Sequence, residues 1–390
     1  MKSISTNNLI SVLFCFFSIF TVLFPVFFLN KLFLAVIVWF TIDNYKFYRL
    51  CTISPFLVFY IFFFGFVFSF FNDFDAALRQ QYLFSVFVLF LIYPIIQYKI
   101  DVDQIIKISG LVAVTYTCFS FIIVIIFIDS SFSGPYYEFF RYFSAGSYGF
   151  KEYTEVGSLF FHIGCLPFLY LPFVLFVISF VEKRKLSSLL AMLVILITII
   201  VSGSRGSIFS SLIAAFYIVF SKIKVKFKFI FLAASILLAF ILFSYLSLNT
   251  NMLDNEEGSN AAKIAHFESF VDNLDFFNFF LGEGLGSLYY SNGSQGLKAV
   301  TEITPLDMLR YFGFILTPLL YIYIIFPTRK IALYLGNNSL YLGLLIIYIL
   351  NSLTNPTMFN SFGLLVVLWY WSKILANKRT RTIDKIKYLN

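Results

Sequence analysis

The sequence is short of charge. Charged residues make up 12% of its 390 positions, about half the share of a soluble domain, while 60% are hydrophobic. That excludes an ordinary water-soluble globule. It leaves a chain whose backbone must satisfy itself inside lipid, as membrane-crossing helices. Histidine is nearly absent, with 2 residues, and there are only 4 cysteines. Cys15, Cys118 and Cys165 fall inside apolar runs and Cys51 in a short basic loop. No long polar loop can therefore be stapled by a disulfide, and a Cys-ligated zinc site is not expected. No HExxH, paired-cysteine or dense carboxylate pattern marks a metal site, and no P-loop marks direct use of ATP. The first apolar run, from Leu9, lacks a small-residue cleavage site and is followed by many more, so no cleavable signal peptide is expected. Phenylalanine is abundant instead, with 56 residues beside 25 tyrosines; the Phe runs are read as composition, not as binding sites.

Apolar runs long enough to span a bilayer, or nearly so, occur at Leu9–Leu29, Leu32–Ile42, Pro55–Phe71, Tyr82–Gln97, Ile105–Ile128 and Ser158–Val181. Others follow at Leu186–Val201, Ile208–Phe220, Phe229–Leu248, Leu306–Phe326, Leu340–Leu350 and Phe362–Leu375. Judged against the ~20 residues a crossing helix needs, the expected fold is all-α: a polytopic bundle of about twelve transmembrane helices forming one integral membrane domain over residues 1–390. Leu32–Ile42 is the weakest of these and fits the second arm of a hairpin that breaks at Pro25.

The positive-inside rule tests that count. With the N-terminus inside and twelve alternating spans, 20 of the 28 Lys and Arg fall inside, while 15 of the 20 acids fall outside. Both termini are then cytoplasmic. A basic excess of this kind is a membrane-topology signal, and no nucleic-acid partner is expected. Two long extracytoplasmic loops result. The first, Asp129–Gly157, is rich in Tyr and Phe. The second spans 249–305, before the tenth span, and carries an amphipathic helix over Ala261–Leu274. Asp254 or Asn255 is a plausible cap there, and Ile264, Phe267, Val271 and Leu274 recur at helical spacing. A loop of that length with its own internal order is more often functional than a passive connection.

Few residues offer chemistry. Ser202-Gly203-Ser204-Arg205-Gly206-Ser207 interrupts an apolar run from Leu186 to Phe220. An arginine at a helix edge costs energy unless compensated, roughly 2.5–3.5 kcal/mol at mid-bilayer and less near the interface. A helix N-terminus with an arginine makes a receptor for a phosphate-type anion; alternatively Arg205 snorkels to lipid phosphates. Arg310 follows Asp307 by three residues, so the two can also hide as an i,i+3 ion pair. Arg79 is a third arginine at the edge of an outward span. His162 lies in an apolar run and is expected to pack within the bundle, while His266 flanks the apolar face of the loop helix. Gly282-Glu283-Gly284-Leu285-Gly286 has the form GxGxG but no preceding strand, so it is not a nucleotide fingerprint.

Taken in order, these motifs resemble the O-antigen ligase and polymerase superfamily: an SGSRG element opening a span, then a large outer loop two spans later with a helix and a GxG turn. A polar residue, here Glu302, then stands about ten positions before a glycine, here Gly313. Asn355-Pro356 before the last span is similar too. The resemblance covers roughly residues 186–375. Ligases carry a histidine where Glu302 stands, so its absence favours the polymerase branch over the ligase. A flippase or other transporter would place ionisable groups deep in several spans instead.

The resemblance implies a glycosyltransferase that joins undecaprenyl-pyrophosphate-linked repeat units at the outer face of a bacterial inner membrane, without cofactor or metal. An acceptor hydroxyl attacks the anomeric carbon and the lipid pyrophosphate leaves. Arg205 and Arg310 would stabilise the leaving group. Glu302 or Glu283 would take the proton. Arg79, Ser204, Gly284, Asp307 and Tyr289 would contribute to substrate binding. A chain-length regulator and a flippase of the same pathway are the implied partners.

Overall fold

A computed structural model of the chain describes residues 6–25, 29–43, 52–127, 148–152, 159–224, 258–273, 275–329 and 338–387, with a few isolated residues between them. Among the described residues, five helices are both long and apolar enough to cross a membrane: Ser54–Phe71, Ala76–Tyr98, Val102–Ile123, Leu166–Lys183 and Thr304–Ile325. Shorter apolar helices run over Asn7–Leu23, Leu29–Phe40, Leu186–Val201, Ser339–Asn351 and Ser361–Ala376. The chain is a multi-pass helical membrane protein.

Helices α1 (Thr6–Leu23) and α2 (Leu29–Asp43) pack against each other on either side of the break at Pro25. Helix α3 (Ser54–Phe68) opens with Pro55, whose missing N–H is one the first turn cannot use. Helix α4 (Ala76–Ser85) is capped by Asp75, whose side chain accepts from the Leu78 amide at 3.0 Å. It continues through a 3-10 segment, Val86–Leu91, into α5 (Ile92–Tyr98), and α6 (Val102–Phe127) follows. Helices α7 (Tyr170–Lys183), α8 (Leu186–Val201) and α9 (Arg205–Lys222) form consecutive antiparallel neighbours. The run expected to span from Ser158 begins differently. Leu159–Ile163 is a strand, β2, paired antiparallel with β1 (Tyr148–Glu152). His162 thus stands opposite Gly149 in a hairpin rather than inside a helix. β-Branched and aromatic residues make short apolar runs ambiguous between helix and strand, and Ser158–Ile163 is such a run.

The span expected at Phe229–Leu248, the cap at Asp254 or Asn255, Leu274, Cys51 and most of the Asp129–Gly157 loop lie outside the described residues. The second loop is described from Gly258. It contains α10 (Gly258–Asp272), α11 (Phe276–Leu281), and a hairpin of β3 (Tyr289–Ser291) and β4 (Gly296–Lys298), before α12 (Thr304–Ile325). Helix α10 forms where the periodicity places it, but it faces the other way. Ile264, Phe267 and Val271 are 45%, 49% and 50% exposed, whereas His266, Ser269 and Phe270 are buried.

Helices α13 (Ser339–Asn351) and α14 (Ser361–Lys387) complete the bundle. The apolar part of α14 is its hub: from Leu364 to Trp371 every residue is at most 1% exposed. A helix buried on all sides has no use for a polar face, and this stretch has none. Its ring donors still need partners. Trp371 Nε1 donates to the Ile324 carbonyl at 2.7 Å, and Tyr370 OH to the Ile325 carbonyl at 2.8 Å. Trp369 Nε1 and Lys373 Nζ share the Asp103 carboxylate at 2.9 and 2.6 Å. Asp103→Ala leaves both donors without that acceptor. It is expected to destabilise by about 1–3 kcal/mol, read as a lower thermal midpoint of the purified protein, with Asp103→Asn losing less.

Candidate functional site

Four connections meet at one end of the bundle. Residues 72–75 pair with the glycine turn: the Asp75 amide donates to the Gly286 carbonyl at 2.8 Å and the Leu288 amide to the Asp73 carbonyl at 2.9 Å. The 202–206 turn abuts the end of α13: a Cβ on Gly206 would stand 2.0 Å from Thr354 Oγ1 and 2.8 Å from Asn351 Oδ1. No side chain fits there, so this glycine serves close packing. The end of α13 in turn meets the start of α12, through the Thr304 amide and the Ser352 carbonyl at 3.1 Å.

The centre of this end is a broken helix. Within α12, Gly313 adopts φ +69 and ψ 176, which interrupts the backbone ladder. The carbonyls so released are taken up from outside: Glu283 N–H donates to Arg310 O at 2.7 Å and Gly284 N–H to Tyr311 O at 3.1 Å. Thr317 Oγ1 serves the Met308 carbonyl at 2.9 Å. A break within an apolar helix is tolerated when neighbours satisfy it in this way. The approach is so close that a Cβ on Gly313 would lie 2.2 Å from Phe280 O, and one on Gly282 would lie 2.6 Å from Gly313 N. The GxGxG pattern is therefore a seat for backbone against backbone.

That seat sets Glu283 beside Arg310. Glu283 Oε2 is 4.0 Å from Arg310 Nη1, and Asn72 Nδ2 holds the Glu283 carbonyl at 2.7 Å. Arg310 is buried, 4% exposed. Nη1 donates to the Ser287 carbonyl at 2.6 Å and Nη2 to the Ala299 carbonyl, while Nε has no partner among the described residues. The guanidinium also lies 4.5 Å from the Tyr289 ring centre. Carbonyls and a ring satisfy donors without cancelling charge, so no hydrogen-bonded carboxylate neutralises the Arg310 guanidinium. A small pocket opens on this cluster, lined by Phe270, Asn273, Asn278, Glu283, Tyr289 and Arg310. Burial pushes the Glu283 carboxyl above its ordinary range, and the Arg310 charge opposes that shift. Burial likewise raises Tyr289.

Asp307 does not pair with Arg310 among the described residues. It is fully buried and accepts from the Thr301 amide at 2.7 Å, reaching back to pin the turn before its own helix. Glu302 rides on that turn, exposed and with a left-handed φ of 64, a conformation a non-glycine residue adopts only when its surroundings demand it.

Arg79 is buried by a different device. Its guanidinium carbon lies 4.6, 4.4 and 3.7 Å from the ring centres of Phe66, Phe70 and Phe74, and Nη1 donates to Ser69 Oγ at 3.2 Å. It stands behind the glycine turn, where a Cβ on Gly286 would approach its backbone N at 3.3 Å. Three aromatic faces thus compensate Arg79, which holds the turn from behind and lies outside the pocket lining. Ser204 occupies the cap position of α9, but its hydroxyl accepts from no first-turn amide and instead donates to Ser207 Oγ at 3.0 Å. Arg205 is the first residue of α9 and half-buried. Lys263 reaches the Thr354 carbonyl at 3.2 Å. The cluster by Gly206 and the cluster around Arg310 are thus neighbours linked through Ser352 and Thr304, not one pocket.

Sequence reasoning passed over Asn72, Asn273 and Asn278, which carry no pattern of their own. It also undervalued His266. That ring is 5% exposed, with Nδ1 3.0 Å from Tyr289 OH and 2.6 Å from Ser291 Oγ.

No protein-family model matches the chain, and no solved structure matches it. A 206-residue stretch, 50% of this chain and 49% of the relative, is 27% identical to an O-antigen polymerase of Shigella flexneri. The chain spans about half the length of that curated relative.

One test of the site is independent of activity. A carboxyl whose folded pKa is raised binds more protons folded than unfolded, so it weakens the fold as pH rises through and above its ordinary value. Glu283→Gln removes that penalty. The variant is expected to be more heat-stable than the parent at neutral pH, with the gain vanishing as pH falls to about 4, in thermal melts across pH.

Proposed function

We propose that this protein polymerises lipid-pyrophosphate-linked oligosaccharide repeat units, the undecaprenyl-linked precursors of O-antigen or of another surface polysaccharide, at the outer face of a bacterial inner membrane. The observation that carries this reading is the Glu283–Arg310 pocket: a carboxyl with a raised pKa beside a buried, incompletely satisfied cation. Its likeness over half its length to an O-antigen polymerase supports the same reading. So does the meeting, at one end, of the four connections that the charge count assigns to the outside.

The reaction needs two things at that end. Negative charge develops on the pyrophosphate as the glycosidic C–O bond breaks, and a preorganised cation stabilises it. Arg310 supplies one, and Arg205, at the start of α9 next to the Gly206 that packs against Thr354 and Asn351, supplies a second from the neighbouring cluster. The attacking acceptor hydroxyl must lose its proton as its oxygen bonds to the anomeric carbon. Glu283 takes it, since a carboxyl raised toward neutrality is a better base than one at its ordinary value. Glu302 stands exposed on the turn before α12, outside the pocket lining. Asn278 and Asn273 present amides of the kind that read sugar hydroxyls. The energy is already stored in the pyrophosphate linkage, so no nucleotide enters the scheme. The chain-length regulator and flippase of the same pathway are its proposed partners.

Deletion of the gene, followed by electrophoresis of the surface glycan, tests the function. Loss of the polymerase leaves a single repeat unit attached. Long chains stranded on the carrier lipid, with none attached, would identify a ligase and overturn the proposal. Arg310→Ala and Arg205→Ala are each expected to cut polymerisation about 100-fold or more in protein that still inserts. Glu283→Gln is expected to do the same while leaving binding of the lipid-linked donor intact. Unchanged chain length in these variants would remove the anion site from the mechanism.

A further inference from the structure

The two histidines differ in what surrounds them, and the second belongs to a connected set. His266 projects from the buried face of α10 into the β3–β4 hairpin, against Tyr289 and Ser291. Tyr289 presents its ring to the Arg310 guanidinium. Arg310 is anchored to the carbonyls of Ser287 and Ala299, which bracket the same hairpin. An ordered chain therefore runs from His266 through Tyr289 to Arg310. We propose that His266 is a positioning residue for Arg310: as the neutral imidazole, with Nδ1 as acceptor, it fixes Tyr289 and the hairpin so that the guanidinium faces the reacting pyrophosphate.

The donor and acceptor count supports that state. Tyr289 OH and Ser291 Oγ converge on one nitrogen, and Ser291 Oγ already accepts from the Gly293 amide at 3.2 Å, which leaves its proton to donate to the single lone pair of Nδ1. The proton then sits on Nε2. Protonation at Nδ1 would reverse these contacts, with Nδ1–H donating to a hydroxyl oxygen, and put a second cation behind the ring that faces Arg310. Burial lowers the His266 pKa, with the Lys298 charge acting the same way and Glu302 opposing. The charged and titratable groups facing the ring from its neighbours are Tyr289 on β3, Lys298 on β4 and Glu302 on the turn before α12, with Arg310 behind Tyr289. The sign follows: a lowered pKa keeps His266 neutral at ordinary pH, and acid ends that state. The exposed apolar stripe of α10 leaves this polar face to be spent on the hairpin.

This inference rests on the polymerase reading, and its test separates the two. His162→Gln leaves His266 as the chain's single histidine, so nitrogen-15 histidine spectra of that otherwise intact protein in lipid nanodiscs report one ring. The expected result is the Nε2–H form with Nδ1 accepting, titrating below 6.5, and an Nδ1 signal that moves in Tyr289→Phe. The second measurement is polymer formation from lipid-pyrophosphate-linked repeat units between pH 5 and 8. His266→Ala is expected to lose about 100-fold, the scale set by slight misplacement of a catalytic group, and His266→Gln to recover to within about tenfold. The parent's acid limb takes up two protons, those of Glu283 and His266, and that of His266→Gln takes up one. A charged or Nδ1–H imidazole at neutral pH overturns the proposal, as does an acid limb unchanged in His266→Gln. A parent that shows the expected spectra and makes no polymer overturns the polymerase reading and leaves the positioning contact standing.

Discussion

The site depends on one piece of backbone pairing. Gly313 breaks α12, and the amides of Glu283 and Gly284 close onto the carbonyls that the break releases. Without the break those carbonyls would point along the helix, and the second loop would lose its two hydrogen bonds to α12 and keep those to Gly65, Asp73 and Asp75. Without the glycines on both sides the two backbones could not approach. Everything chemically interesting then follows in register: Glu283 is the residue that donates its amide to Arg310, so carboxylate and cation are delivered together. A buried pair of this kind is expensive to assemble from flexible loops, and here the pairing of main chains does the assembling.

The buried cations at this end are handled in contrasting ways. Arg79 is ringed by Phe66, Phe70 and Phe74 and tied to Ser69, which suits a residue that braces the glycine turn. Arg310 is tethered by two carbonyls that fix its geometry without discharging it, and its nearest carboxylate stands at 4.0 Å, longer than a hydrogen bond. Each guanidinium keeps an Nε without a hydrogen-bond partner among the described residues, and what separates them is place: Arg79 stands behind the glycine turn, while Arg310 lines the pocket beside Glu283. Asp307, which could have neutralised Arg310 along the helix, is instead committed to the Thr301 amide.

The polar face of α10 completes the picture. Helical periodicity marks Ile264, Phe267 and Val271 as the face to bury, yet the face that packs inward carries His266 and Ser269. Phe270 is buried beside them, and hydrogen bonds to a small hairpin add to that packing, between His266 and both Tyr289 and Ser291 and from the Asn292 amide to Ser269 Oγ at 2.9 Å. Such a network fixes one arrangement at the price of rigidity, which is what a site that must aim a guanidinium requires.

The sequence by itself determined that this is a helical membrane protein, where most of its helices begin, and which few polar residues were worth watching. These are local properties: a run of apolar side chains commits its backbone to a helix in lipid whatever lies elsewhere in the chain. Thus Arg205, Arg310 and Glu283 stood out against an apolar background. The role of each arginine, the strand at Leu159–Ile163, the inward face of α10 and the importance of His266 were decided only by the tertiary structure. The reason is that compensation of a buried charge or donor is a non-local question. The partners of Arg310 come from Ser287, Ala299, Glu283 and Tyr289, those of His266 from Tyr289 and Ser291, and no periodicity in the sequence encodes which of them will meet.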